Sequence, residues 1–278
     1  MSVELPEAYI LAEQMRTVLR GRVVKSVTLS DCEKLQRIGF VNRNVEEFQW
    51  LVGRAVEDVA SRGNTVRVDL DEGVNLLIAP EYGGVVLLGE AGDELEKSHL
   101  RMGFDDDSVL TVRLTSMGLI LAVRDRDLEK SYSYRRDFLT GVSPLEDAFA
   151  SEWFSETLSR LNRGLKQVLV GKDAVLVGLS NSAFQDVIYR AGLHPKRKAS
   201  SLSASEAEGL FNAVKGLVEE RLWLGGKDEF VDLHGRRGGY SPRMGPNMKG
   251  SACPICGAEI EGLKHGGGTV YLCPVCQV

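Results

Sequence analysis

The sequence lacks several features that would assign it to a specialised class. It has no uninterrupted run of about eighteen apolar residues, so no membrane-spanning helix is predicted. The N-terminus lacks the basic-then-apolar pattern of a secretion signal, so we expect a cytoplasmic protein. Only Cys32 lies outside the C-terminal tail, which argues against a disulfide-rich scaffold. What remains is a chain of 278 residues, 43% hydrophobic and long enough for two domains.

An overall excess of positive charge is also absent, because the formal net charge is −5. The charge is unevenly distributed, however. Residues 162–202 contain seven lysines and arginines but only two acidic residues. A local basic surface can bind phosphate even when the whole chain is acidic. The pattern therefore permits a nucleic-acid partner, although a solvated lysine-rich loop would look the same.

Four cysteines near the C-terminus form two CxxC pairs. They are Cys253, Cys256, Cys273 and Cys276. This spacing is typical of a tetrahedral Zn²⁺ site with four thiolate ligands. Because all four positions are used, such an ion would be structural, and its binding would supply the folding energy of the small tail. Two disulfide bonds are the alternative, which would leave Cys32 as an odd thiol.

The pattern of apolar residues changes along the chain. A helix is predicted near Pro6, and alternating residues then predict short strands up to residue 123. The candidate strands are 65–70, 74–79, 84–88, 99–104 and 109–114. They indicate a β-sandwich of about eight strands. Beyond Pro144 the pattern is helical. The predicted helices are 149–161, 165–170, 182–191 and one that begins at the capping box of Ser203 and Glu206.

Several motifs in this order make the chain similar to the formamidopyrimidine-DNA glycosylase and endonuclease VIII family. Residues 4–7 read ELPE, 178–181 read GLSN, and 190–195 read RAGLHP. The serine-rich 200–203 and the four-cysteine ribbon follow at the expected distances. The resemblance covers nearly the whole chain.

The resemblance implies an α+β protein of three parts. These are an N-terminal helix with a β-sandwich (1–140), a helix–two-turn–helix DNA-binding domain (141–226), and a linker with a zinc β-ribbon (227–278). It also implies a monomer, associated with the nucleoid, that binds damaged or abasic duplex DNA in the cleft between its lobes.

The resemblance also implies which residues would act. Lys166 and Asn181 would bind phosphates near the lesion, and Glu4 would supply protons to the sugar. A helix cap or a surface position would explain the same residues without any function. Asn64 stands where the family has a lysine in a basic hairpin. The family residues that fill the gap left by a flipped base correspond to positions near Tyr82 and within 115–117. Within that last stretch, we expect Met117 to pack in the core.

One central part of the family pattern is missing. The family uses an N-terminal proline whose amine attacks the sugar carbon, forms an imine and leads to strand cleavage. Here Val3 precedes Glu4, and Ser2 is an additional residue. The arginine of the family's zinc hairpin falls on Gly267 or Gly268. The chain therefore resembles a divergent member that lacks the catalytic proline.

Three hypotheses follow for the chemistry. The α-amine of Ser2 could replace proline after removal of Met1, although an extra residue moves it by up to ~3.5 Å. Glu4 or Glu7 could instead activate water in a glycosylase that forms no imine. In the third hypothesis the protein binds damaged DNA without cutting it.

An RNA-binding protein is a different functional class, but the basic segment 162–202 holds few aromatic residues for stacking on bases. The sequence does not identify the lesion.

Overall fold

The computed structural model describes residues 3–90 and 97–278, which fold into two units. The first unit contains the described residues up to Leu139 together with Leu224–Gly239. The second contains Thr140–Trp223 and Tyr240–Val278. No helix in these described residues is long and apolar enough to cross a membrane.

The first unit is a β-sandwich with one long helix. Its helices are α1 (Leu5–Leu19), α2 (Glu33–Arg37) and α3 (Tyr132–Tyr134). Its strands are β1 (Val24–Leu29), β2 (Val56–Arg62), β3 (Thr65–Leu70), β4 (Val74–Tyr82), β5 (Val85–Glu90), β6 (Leu100–Phe104), β7 (Ser108–Arg113) and β8 (Met117–Arg124). They form two antiparallel four-stranded sheets, ordered β1-β6-β7-β5 and β2-β3-β4-β8.

The core of this unit lies between the sheets and α1. Alternate residues of β3, Val66, Val68 and Leu70, point into it, as the period of two predicts. From α1, Leu11 and Met15 lie in the same core. The predicted sandwich of about eight strands packed on the first helix is confirmed.

Residues 224–239 complete the first unit. Phe230 is only 1% exposed and lies with Leu233 in the same core. The backbone of Leu233 accepts a hydrogen bond from Leu88 of β5 at 3.0 Å. The first residues of the linker expected at 227–278 are therefore not an exposed connector, because Phe230 and Leu233 are buried in the core of the first unit. The three-part division at 140 and 226 stays a prediction.

The second unit consists of four helices and a two-stranded ribbon. Its helices are α4 (Ser151–Arg160), α5 (Leu165–Leu169), α6 (Asn181–Arg190) and α7 (Ala204–Trp223), and its strands are β9 (Glu261–His265) and β10 (Gly268–Leu272). The capping box before α7 is present: Glu206 accepts from Ser203 N at 2.7 Å, and Ser203 Oγ accepts from Glu206 N at 3.2 Å. The α+β architecture with a helical domain and C-terminal strands is confirmed.

Candidate catalytic and nucleic-acid-binding sites

Two carboxylates are fixed at the start of α1. The Oε2 atom of Glu7 accepts a hydrogen bond from the Glu4 amide at 3.0 Å, and the Glu4 carboxylate accepts one from the Glu7 amide. Both side chains are fully buried. The capping role considered for these residues is therefore real, and it holds both acids in fixed positions near the positive end of the helix dipole.

A buried lysine, which sequence reasoning missed, lies against these acids. The Nζ atom of Lys227 is 3.1 Å from Glu4 Oε2, and its amide donates to Glu7 Oε1 at 3.2 Å. The lysine side chain is 5% exposed and that of Glu4 is 0% exposed. A cation and an anion are thus paired away from water. No periodic pattern in the sequence points to a contact between residues so far apart.

A pair of glycines places Lys227 there. Gly225 and Gly226 end the turn after α7 with φ angles of +72° and +93°, a region that other residues rarely adopt. A Cβ on Gly226 would lie 2.6 Å from the Phe230 ring and 3.2 Å from Cγ of Glu7. A side chain at this position would therefore push Lys227 and the helix start apart.

The backbone before Glu4 is held in place. The amide nitrogen of Val3 donates a hydrogen bond to the carbonyl of Glu81 at 3.1 Å, and the Val3 side chain is buried. The nitrogen of the residue that precedes Glu4 is thus a peptide nitrogen, whose lone pair is delocalised and not nucleophilic. Ser2 lies outside the described residues.

Two large exposed side chains lie at the end of the β4–β8 pairing. Tyr82 and Met117 are opposite each other in the two strands and are 41% and 47% exposed. The expected core packing of Met117 is therefore wrong, because the side chain points to solvent. Burial of the hydroxyl, followed by the charges of Glu4 and Glu81, raises the pKa of Tyr82. Tyr82 follows Glu81, whose carbonyl accepts the hydrogen bond from Val3, the residue before Glu4.

Asn64 lies in the turn between β2 and β3. Its amide donates to Oδ2 of the buried Asp137 at 3.2 Å, and Thr65 Oγ1 donates to the same oxygen at 2.6 Å. Asp137 therefore fixes the shape of the turn. The Oδ1 atom of Asn64 is buried without a hydrogen-bond partner among the described residues. A DNA-binding role for Asn64 stays a prediction.

In the second unit, two predicted phosphate-binding residues converge on the ribbon. Lys166 Nζ donates to the carbonyl of His265 at 2.9 Å, and Asn181 Nδ2 donates to that of Thr269 at 3.3 Å. The two carbonyls flank the turn of Gly266 and Gly267 between β9 and β10. Burial lowers the pKa of Lys166. Lys166 is only 9% exposed and lies directly beneath the ribbon turn, beside the start of α6. We call the ribbon turn, the start of α6 and the lysine behind them the ribbon surface.

Part of the predicted basic charge is neutralised within the second unit. Arg190 pairs with Asp186 at 2.9 Å and with Glu220 at 2.7 Å. Arg197 pairs with Glu206 at 2.9 Å. The lysines of the segment that lie at the surface are Lys172, Lys196 and Lys198. The basic face is therefore narrower than the residue count of 162–202 suggests.

The four C-terminal cysteines form one cluster. Their sulfur atoms all lie within 4.8 Å of one another, with Cys253 and Cys276 3.9 Å apart and Cys256 and Cys273 3.4 Å apart. Four sulfurs around one Zn²⁺ at ~2.3 Å would be separated by about 3.8 Å. A disulfide requires about 2.05 Å, and all four cysteines are free thiols. The cluster therefore fits a tetrahedral metal site and does not fit two disulfides.

Comparisons with known proteins agree along the chain. The sequence model of the formamidopyrimidine-DNA glycosylase N-terminal domain matches residues 3–115. The sequence model of the helix–two-turn–helix (H2TH) domain of the same glycosylase matches residues 140–229. The formamidopyrimidine-DNA glycosylase of Halalkalibacterium halodurans is 26% identical over 99% of each chain.

Solved structures give the same result for the fold. MutM (Fpg) of Thermus thermophilus is 25% identical with a TM-score of 0.82, covering 99% of this chain and 98% of the other. Lactococcus lactis Fpg, solved with DNA that contains an abasic site, has a TM-score of 0.84 at 21% identity over 99% of each chain.

Proposed function

The chain belongs to the formamidopyrimidine-DNA glycosylase family, and we propose that it binds duplex DNA at a damaged base and removes that base in base-excision repair. The alternative is a protein that binds damaged or distorted DNA without cutting it. Lactococcus lactis Fpg, of the same fold, was solved with DNA that contains an abasic site.

The ribbon surface is the observation that carries the DNA-binding proposal. Lys166 and Asn181 belong to different helices, yet both side chains donate to carbonyls that flank the turn at residues 266–267. A phosphate here would meet an ammonium group, an amide and the N-terminus of α6, all of which favour an anion. Because such contacts read the backbone and not the bases, they hold the duplex without specifying its sequence.

We propose that the cysteine cluster holds one structural Zn²⁺. The ion would tie the two CxxC segments together and so fix the ribbon turn against Lys166 and Asn181. It would take no part in the reaction, because the four thiolates leave no open coordination position. The division into 1–140, 141–226 and 227–278, the nucleoid-associated location and the monomeric state belong to the same proposal.

The chemical centre of the proposal is the pair of acids at the start of α1. Glu4 and Glu7 are fixed at the start of α1, so a sugar or water molecule that is brought against either carboxylate would exchange a proton at a defined position. We propose that the chain is a divergent member whose reaction does not use an N-terminal proline. Val3 stands before Glu4, and its nitrogen is part of a peptide bond. The amine of Ser2 and a water molecule activated by Glu4 or Glu7 are the two candidate nucleophiles from the sequence.

The test uses a duplex with one ring-opened formamidopyrimidine and the matching undamaged duplex. Release of the base from the damaged duplex alone is expected of a glycosylase, and Glu4→Gln should abolish it while the DNA is still bound. Selective binding without base release would favour the non-cutting alternative. Equal, weak binding to both duplexes and to structured RNA of the same length would refute the proposal.

A further inference from the structure

The reaction that the family resemblance implies needs an amine next to a proton donor. The first described nitrogen before Glu4 is the amide of Val3, which is bound to the Glu81 carbonyl. The side-chain amine of Lys227 does lie beside Glu4, because its Nζ atom is 3.1 Å from Glu4 Oε2. Since a primary amine forms imines readily with a sugar aldehyde, this contact places the required groups together.

We propose that the Nζ atom of Lys227 is the nucleophile that forms the imine with the sugar, in place of an N-terminal amine. This proposal rests on the proposed glycosylase function. The family's N-terminal amine would come from the first residues of the chain, whereas Lys227 comes from the segment after α7. The segment nevertheless belongs to the same unit and brings the lysine to the same acid.

Two features of the surroundings of Lys227 fit a lysine that reacts with a bound nucleotide. In the pair with Glu4, only the lysine side chain has any exposure. The exposed ring of Tyr82 lies near Glu4, so the surface beside the pair carries a side chain that could contact a nucleotide. Gly225 and Gly226 precede Lys227 with positive φ angles and place its backbone against Glu7.

The first half of the reaction follows from the contact. The Lys227 ammonium gives one proton to Glu4, and the neutral Nζ then attacks C1′ of the damaged nucleotide. The bond from C1′ to the base breaks, its electron pair leaves with the base, and the base takes up, through solvent, the second proton that Nζ loses. The Glu4 carboxylic acid next protonates O4′ as the C1′–O4′ bond breaks. A protonated imine between C1′ and Nζ remains.

The second half cuts the strand and regenerates the enzyme. Loss of a proton from C2′ to Glu4 allows the C3′–O bond to break, and the 3′-phosphate leaves with the electron pair. Water then adds to C1′ and releases the sugar aldehyde from Nζ. No oxidant or metal is needed, and each proton that Glu4 accepts is returned to the sugar or to solvent.

The decisive experiment identifies the residue that becomes attached to DNA. The native protein is incubated with a duplex carrying one abasic site and sodium borohydride, which reduces an imine to a stable amine. Peptide mass spectrometry is expected to find the sugar on Lys227. An adduct on the N-terminal residue would overturn the proposal. An abasic duplex already lacks the base, so the result does not depend on the lesion that the enzyme prefers.

Three variants separate the nucleophile from a structural cation. Lys227→Arg keeps a positive charge beside Glu4 but cannot form the imine, so the adduct should be lost while abasic DNA is still bound. Lys215→Arg, at an exposed position of α7, is the matched control and should leave the adduct unchanged. A protein with extra residues before Met1 should also keep its adduct. Retention of the adduct in Lys227→Arg would refute the role of Lys227.

The role of Lys227 as nucleophile and the proposed glycosylase function can be refuted separately. Base release without any borohydride adduct would exclude Lys227 as the nucleophile and leave a glycosylase that uses water. Absence of both base release and adduct, with no preference for abasic DNA, would refute both.

Discussion

The buried pair of Glu4 and Lys227 makes a strong prediction about stability, independent of catalysis. Lys227→Met removes the cation and leaves a carboxylate that is 0% exposed. Breaking a buried pair by removing one partner typically costs ~3–5 kcal/mol, because the remaining charge has no counter-ion. Since Glu4 also accepts the Glu7 amide within the capping box, we expect the lower end of this range, about 3 kcal/mol.

The loss is measured by urea unfolding of the whole protein, monitored by circular dichroism, and by thermal melting. A loss of about 3 kcal/mol corresponds to a fall in Tm of about 6–12 °C for a unit of this size. Lys215→Met is the control, because Lys215 is exposed, and it should change the free energy of unfolding by less than about 0.5 kcal/mol.

The double variant Glu4→Gln/Lys227→Met tests the cause of the loss. It carries neither buried charge, so it should recover most of the stability that Lys227→Met loses. A single variant as stable as the native protein would show that the pair is not buried. If the double variant loses more free energy of unfolding than the two single variants together, charge is not the cause of the loss.

Three further predictions concern the second unit. Lys166→Ala should weaken binding to every duplex and reduce the slope of log K against log salt by about 0.9, whereas Lys215→Ala should not. The purified protein should contain one zinc ion per chain, and Cys256→Ser or a strong chelator should remove it and weaken DNA binding, which metal analysis and fluorescence anisotropy would report. Hydrogen bonds from Arg197, and then from the Ser203 backbone, lower the pKa of Glu206 to about 2. Its stabilisation is therefore complete above the unfolded pKa of about 4.3 and is lost as the pH falls through 2, so Glu206→Gln should flatten the acid side of the thermal-stability profile.

The features that the sequence predicts correctly depend on neighbours along the chain. The alternation in 65–70 identifies β3, since successive side chains of a strand point to opposite faces. The capping box at Ser203 marks the start of α7, because both of its hydrogen bonds lie within four residues. The two CxxC pairs predict the cysteine cluster because each pair supplies two thiols that are three positions apart.

The sequence is less informative about exposure and charge. Met117 reads as an apolar core residue but lies at the end of the β4–β8 pairing, where it is 47% exposed in the described part of the chain. Arg190 reads as part of a basic surface, but Asp186 and Glu220 neutralise it. The position of Met117 opposite Tyr82 and the contact of Arg190 with Glu220 both join residues that are far apart in the sequence, and no local period predicts them.

By itself the sequence determined the kinds of elements, their order, the four ribbon cysteines and the acids at the start of α1. Only the tertiary structure brought Lys227 to Glu4 and placed Lys166 and Asn181 on the same ribbon turn. The physical reason is that local hydrogen bonds and periodic burial are specified by adjacent residues. A contact across more than two hundred residues exists only after the core has formed and brought the two segments together.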